Sequence, residues 1–474
     1  MMKDFFWVIF EKIGITFINF IALIVMSRLI SPSDYGIYGI MTLFIAVTET
    51  LIDSGFGGAL VQKKSIVQED LNTLFIFNIF ISLIAYFALY LASPVIEVFY
   101  QIENLSLYFR VIGLTLIFYA LSVVQVSLYN RKLEFKKSAL INTVSYLLAA
   151  IIGIILAHYG FGIWALIAQL LFSSFFLAVF YWVFNPIIIK KTISLPSFTF
   201  LWKFGANTVG ANILQTVVNN VTTSIIPKIG SSNQSGLYFQ ANRISNLPTS
   251  ILTQCVDKGV FPILSRETND QNVIASARRL NRLFLSLIVP LFPIISMLSF
   301  PIVMIFLGNE WLGAVQYLSI LSWSGIALTI QSVYRNIIKS TGKTQFILTA
   351  EVCKSLITLA ILFFSIKYGV LFLVYAVTLA SYLGVIVWGS ILKWKFHYSI
   401  RAQLSDAAKP ILAMLLMVCM VRICNINLEN YISLAIAPIA YALYWIISIF
   451  MFKNKELIEI SRKLYQFFLN KGNK

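Results

Sequence analysis

SRLISPSDYGIYGI, residues 27–40, is a short polar turn between two long apolar runs. Ser31-Pro32-Ser33-Asp34 ends one helix and caps the next, since proline cannot sit inside a helix and Ser or Asp oxygens accept the free amides of a helix start. Tyr35-Gly36-Ile37-Tyr38 resumes the apolar pattern. About 200 residues on, PKIGSSNQSGLYFQA (227–241) repeats it. Arg28 matches Lys228, Ser31 matches Ser231, Gly36 matches Gly236 and Tyr38 matches Tyr238. One helix earlier, Asn19 matches Asn219 in the same register. A constant offset across a turn and its flanking helices indicates an internal duplication: two membrane bundles, each opening with such a hairpin.

Composition supports that reading. Of 474 residues, 59% are hydrophobic and only 12% charged, whereas a soluble domain carries about a quarter charged residues. The mean hydropathy of +0.84 excludes a soluble enzyme. Cys255, Cys353, Cys419 and Cys424 are scattered in apolar stretches without metal-ligand spacing, and His158 and His397 stand far apart, so no metal site is expected. The N-terminal apolar run carries Glu11 and Lys12 and lacks a small-residue cleavage site, so it is read as a retained span.

Apolar runs predict fourteen spans, twelve of them in two sets of six. The first set is 5–29, 36–61, 71–95, 106–129, 138–158 and 161–184; the second is 204–229, 236–262, 283–307, 312–338, 345–366 and 369–392. Two more follow at 408–424 and 431–452. The expected architecture is an all-α polytopic membrane protein of two six-helix bundles, 1–184 and 204–392. Residues 185–203 form a cytoplasmic linker, and 393–474 add two helices and a basic cytoplasmic tail. With the N-terminus in the cytoplasm, 26 of the 36 Lys and Arg fall in cytoplasmic segments and five at outside turns. Such alternation is what the positive-inside rule demands, and it puts both termini inside. The net charge of +17 then faces anionic lipid headgroups rather than nucleic acid. Six spans per half make the halves parallel repeats, related by a pseudo-twofold axis along the membrane normal, with the substrate path between them.

The remaining five basic residues, Lys12, Arg243, Lys258, Arg335 and Lys354, lie within spans. A charge in hydrocarbon costs about 3 kcal/mol, so each should face a partner or a wet cavity. Lys258 and Arg335 lie near span ends and can instead snorkel to the interface. Arg243, Asn246, Ser250, Gln254 and Asp257 share one face of span 8, which Pro248 interrupts. Thr208, Asn212, Gln215, Asn219 and Thr222 form a stripe on span 7, Thr42, Glu49 and Asp53 one on span 2, and Glu351, Lys354 and Thr358 one on span 11. Such stripes either glue helices together or line an aqueous cavity. Read as a cavity, they are cationic and suit a phosphate or diphosphate, with Lys12, Arg243, Lys354, Arg335, Lys258, Asn212, Asn219, Asn246 and Gln254 as binding candidates. Glu49, Asp53, Asp257 and Glu351 are candidates for a coupling Na⁺ or H⁺, or are ion-pair partners of the bases. No P-loop, no long outside loop of catalytic groups and no DxD-like pair is present, so neither ATP hydrolysis nor glycosyl transfer is expected of this chain.

SRLISPSDYGIYGI followed by LIDSGFGGALVQKK resembles the opening hairpin of the polysaccharide transporter family, the Wzx-type flippases of the multidrug/oligosaccharidyl-lipid/polysaccharide exporter superfamily. Leu29, Pro32, Asp34, Tyr35 and Gly36 match its L-x-P-x-D/E-[FY]-G turn, and SLYNRKLEFKK and SGLYFQANRISNLP are similar to later family segments. The resemblance implies a V-shaped central cavity and alternating-access export of undecaprenyl-diphosphate-linked oligosaccharide repeat units for O-antigen, capsule or exopolysaccharide. It also implies a bacterial inner-membrane location, a monomer, a polysaccharide polymerase as protein partner and no cofactor. Site residues vary within the family, so none is carried over. A cation-coupled multidrug or small-solute antiporter of the same superfamily is the alternative, which the Lys/Arg content disfavours. A membrane glycan polymerase or ligase is disfavoured by the short outside loops.

Overall fold

The computed structural model describes residues 2–53, 60, 63, 66–190, 192, 194–264, 270–341, 345–423, 435–459 and 461–462. Their regular elements are all helices, without strands. The opening hairpin is α1 (Met2–Ser27) and α2 (Pro32–Asp53). It is followed by α3 (Gln68–Tyr100), α4 (Leu105–Ile112), α5 (Leu114–Lys132), α6 (Phe135–His158) and α7 (Ile163–Phe184). The second repeat opens with α8 (Leu195–Ile229) and α9 (Ser232–Leu264). It continues through α10 (Asp270–Ile288), α11 (Leu291–Met297), α12 (Ser299–Phe306), α13 (Ala314–Leu321), α14 (Ser324–Ser340), α15 (Gln345–Ser365) and α16 (Val370–Phe396). Last come α17 (Ile400–Ile423) and α18 (Ile436–Phe450).

Ten segments among the described residues are long and apolar enough to cross a membrane. The other four expected spans fall on α8, α9, α13–α14 and α18. Although α8 and α9 run to 35 and 33 residues, their polar stripes lower their hydropathy. The duplicated turns share the same cap bond. The Asp34 amide donates to Ser31 Oγ at 3.2 Å, and the Gln234 amide to Ser231 Oγ at 3.2 Å. Each serine thereby satisfies a free amide of its own helix start.

The chain forms two compact units, Met1–Phe239 and Gln240–Lys474. In the first unit α2 and α8 pack antiparallel: Gly39 lies against Thr223, and Thr50 Oγ1 is 3.2 Å from Thr216 Oγ1. A Cβ at Gly39 would come within 2.6 Å of the Thr223 methyl, so the missing side chain is what lets the two backbones approach. Such approach matters in lipid, where apolar burial alone does not drive helix association. Ile40, Ile45, Phe109, Leu116 and Ile167 fill the adjoining core.

The linker is tied down side chain by side chain to the start of α3. Gln68 Nε2 donates to the Ile188 carbonyl at 2.7 Å, and the Lys190 amide to Asn72 Oδ1 at 3.1 Å. Asn72 Nδ2 donates to Thr192 Oγ1 at 2.7 Å, and the Ser194 amide to Thr73 Oγ1 at 3.0 Å. Beside them Lys63 Nζ is 2.6 Å from Asp70 Oδ1, and Arg131 donates to the carbonyls of Leu60 and Lys63.

In the second unit α17 and α18 share one core with α10, α14 and α16, through Met417, Tyr444, Leu285, Val333 and Trp388. Asp406, 3% exposed, joins them electrostatically. It accepts from Arg278 Nε at 2.8 Å, Arg282 Nη1 at 3.0 Å and the Tyr398 hydroxyl at 2.7 Å. Burial, and then the bond to Asp406, push the Tyr398 phenol up, so it remains a donor at neutral pH. The start of the tail docks here through acidic rather than basic groups. Arg282 Nε bonds Glu456 at 2.5 Å, Arg279 bonds Glu459 at 2.8 Å, Asn454 Nδ2 donates to Ser286 Oγ at 2.8 Å, and Leu457 is fully buried.

Candidate functional site

Helical spacing and packing together assemble one polar flank in the first unit. Glu49 and Asp53 lie on one side of Thr50, and Asn212 and Asn219 on the matching side of Thr216. Because α2 and α8 run antiparallel, these two carboxylates and two amides border the same side of one seam. Asp53, Asn212 and Asn219 are exposed, and Glu49 is half-buried. Lys12 is exposed too, on the α1 face opposite the apolar row Phe10, Ile13, Phe17 and Ile21. An apolar exposed face suits lipid; an exposed amide, carboxylate or ammonium inside a span needs water or a polar ligand.

The second unit carries the arginines. On α9, Arg243 is half-buried and Asn246 and Ser250 are exposed, with Gln254 half-buried on the same face. Asn246 Nδ2 donates to Asn242 Oδ1 at 2.9 Å. Arg243 makes no hydrogen bond or ion pair among the described residues. The same holds for Arg335 on α14, whose Nε is buried and unpaired. Lys354 differs. Its Nζ is 2.5 Å from Glu351 Oε2 on the same face of α15, the pairing left open by the sequence. That contact is an ion pair by distance but lacks hydrogen-bond alignment, so Oε2 has no hydrogen-bond partner. The side chains of Asp257 and Lys258 lie outside the described residues. No cluster of His, Cys, Asp or Glu among the described residues could hold a metal ion.

Glu11 is a functional candidate that sequence reasoning had reduced to a neighbour of Lys12. It instead accepts from Asn142 Nδ2 on α6 at 2.7 Å. Asn142 Oδ1 accepts from the Tyr181 hydroxyl of α7 at 3.0 Å, and Ser138 Oγ lies 2.9 Å from that hydroxyl. The signal was the spacing of Ser138, Asn142 and Ser145 on one face of an apolar helix. The chain Glu11–Asn142–Tyr181–Ser138 can hold a proton or reorganise around a small cation.

A family model described as a polysaccharide biosynthesis protein matches residues 25–316. The succinoglycan biosynthesis transport protein ExoT of Rhizobium meliloti is 23% identical over 343 residues, 71% of this chain and 68% of that one. The lipid II flippase MurJ, in an inward closed conformation, superposes with a TM-score of 0.76 at 16% identity, covering 96% of this chain and 99% of that one. An inward-facing multidrug resistance MATE transporter superposes with a TM-score of 0.62 at 13% identity, covering 83% of this chain and 95% of that one. Both structures share the two-bundle fold.

Proposed function

The chain belongs to the polysaccharide biosynthesis protein family, and from that premise we propose that it is a flippase for undecaprenyl-diphosphate-linked oligosaccharide repeat units. It would work by alternating access in the bacterial inner membrane, with both termini in the cytoplasm, for assembly of a surface polysaccharide. The observation that carries the reading is the pair of arginines without partners among the described residues, Arg243 and Arg335, inside expected spans of a family member. A desolvated, unpaired guanidinium is costly unless an anion visits it, and its planar fork suits phosphate oxygens. The sugar would travel along the exposed amides Asn212, Asn219 and Asn246, while the polyprenyl tail stays in lipid. Lys12 and Arg335 would meet the diphosphate toward the cytoplasmic side and Arg243 toward the outside, so the anion is never left without a counter-charge. Lys354 takes part only by exchanging Glu351 for the phosphate. Glu11, Glu49 and Asp53 supply carboxylates through which H⁺ or Na⁺ could drive the cycle.

Deletion of the gene tests the reading. Surface polysaccharide should disappear while undecaprenyl-diphosphate oligosaccharide accumulates on the inner leaflet, and the wild-type gene should reverse both. Unchanged polysaccharide together with heightened sensitivity to cationic drugs would favour the antiporter instead.

A further inference from the structure

We infer that the crossing of Gly36 and Gly236 is the seal at the outer end of the transport path, and that its parting is the step that frees the cargo. The inference rests on the export reading and on the turns at 28–34 and 228–234 facing outside. The contact is reciprocal. A Cβ at Gly36 would collide with the Ser232 carbonyl oxygen, and a Cβ at Gly236 with the Pro32 carbonyl oxygen. Each hypothetical Cβ would also stand 3.0 Å from the amide nitrogen of the opposite glycine. Residues 32 and 36 thus face 232 and 236 as a two-fold pair, and the duplicated turn meets its own copy.

Packing around the crossing leaves little room. Phe239 stands 6.0 Å from the Tyr38 ring and 6.5 Å from the Tyr35 ring, centroid to centroid, and its edge abuts Gly39. Lys228 Nζ donates to the Phe99 carbonyl at 2.7 Å and lies 4.8 Å from the Phe99 ring centroid. The polar face begins deeper: Asn219 lies about 15 Å from the end of α8 by the helical rise.

The seal is also built to part. Backbone-to-backbone contact through glycines is tight when closed, yet dispersion falls steeply once a gap of about 1 Å opens. Gln240, next after Phe239, is fully buried with both amide atoms unpaired. An amide kept dry and unpaired is a standing cost of the closed form that entering water would relieve.

The test uses the full-length protein in membranes with its four native cysteines replaced. Asn219→Cys reports access of a membrane-impermeant maleimide added from outside. Gly36→Val and Gly236→Val should each raise its labelling rate about tenfold, a population shift of about 1.4 kcal/mol. In that reporter, Tyr38→Cys with Phe239→Cys, joined by a short cleavable cross-linker, should lower labelling at least about tenfold; with Asn219 intact, the same cross-link should stop polysaccharide export, and its cleavage should restore export. Export undiminished after complete cross-linking would overturn the seal, as would labelling that ignores it. If the valine variants do not reach the membrane, the cross-linked pair decides alone. Labelling does not depend on the cargo. A seal that gates labelling in a protein whose loss leaves polysaccharide intact would therefore sink the export reading and leave the seal standing.

Discussion

Arg243→Ala should leave the protein in the membrane and remove export. The arginine gives up no hydrogen bond or ion pair among the described residues, so truncation leaves no described partner unsatisfied. Keeping an unpaired charge within a span costs about 3 kcal/mol, so the alanine variant should be at least as stable as the parent. A charge-assisted hydrogen bond to the diphosphate is worth about 1.5–3 kcal/mol, which makes the expected loss of substrate affinity about 10- to 150-fold. Arg335→Ala should behave alike, and the double variant should fall below either single one. Arg243→Lys keeps the charge without the fork and should land between parent and alanine. Lys354→Ala should be different in kind, because it strands Glu351 Oε2 without its counter-charge and lowers stability. Adding Glu351→Ala should recover that stability. The assay is complementation of a flippase-deficient strain, read as surface polysaccharide per unit of membrane-inserted protein, alongside thermal inactivation half-life in detergent. Wild-type export from the Arg243→Ala, Arg335→Ala double variant at normal abundance would refute the reasoning.

Asn142→Ala should strand Glu11, leave the Tyr181 hydroxyl with Ser138 as its partner, and destabilise the protein by about 1–3 kcal/mol, visible as faster thermal inactivation; Glu11→Gln should preserve the fold and, if Glu11 carries the coupled proton, slow export. Asp406→Ala removes the acceptor shared by Arg278, Arg282 and Tyr398. Both arginines are about a third exposed, so solvent softens the loss to about 2–4 kcal/mol, measured by urea resistance of the purified protein against Asp406→Asn as the milder case. Single cysteines at 160 and 309 should react with an impermeant maleimide from outside and those at 134 and 341 only after permeabilisation; the reverse pattern would overturn the assigned orientation.

The sequence by itself determined the helices, the repeat and the capped turns. These rest on local causes: apolar runs of bilayer length, a proline with a serine cap, and an offset of 200 that carries Ser31 onto Ser231 and Gly36 onto Gly236. The Lys354–Glu351 pair was legible for the same reason, since spacing on one helix fixes a shared face. Tertiary structure alone decided which faces meet. Glu11 found Asn142 across 131 residues instead of its neighbour Lys12, and Asp406 found Arg278 across 128. It also decided that Thr50 meets Thr216, which sets Glu49, Asp53, Asn212 and Asn219 beside one seam, and that Arg243 and Arg335 have no partner among the described residues. Helical periodicity fixes the direction of a side chain around its own axis; which helix stands in that direction depends on how small residues such as Gly39 let particular backbones approach.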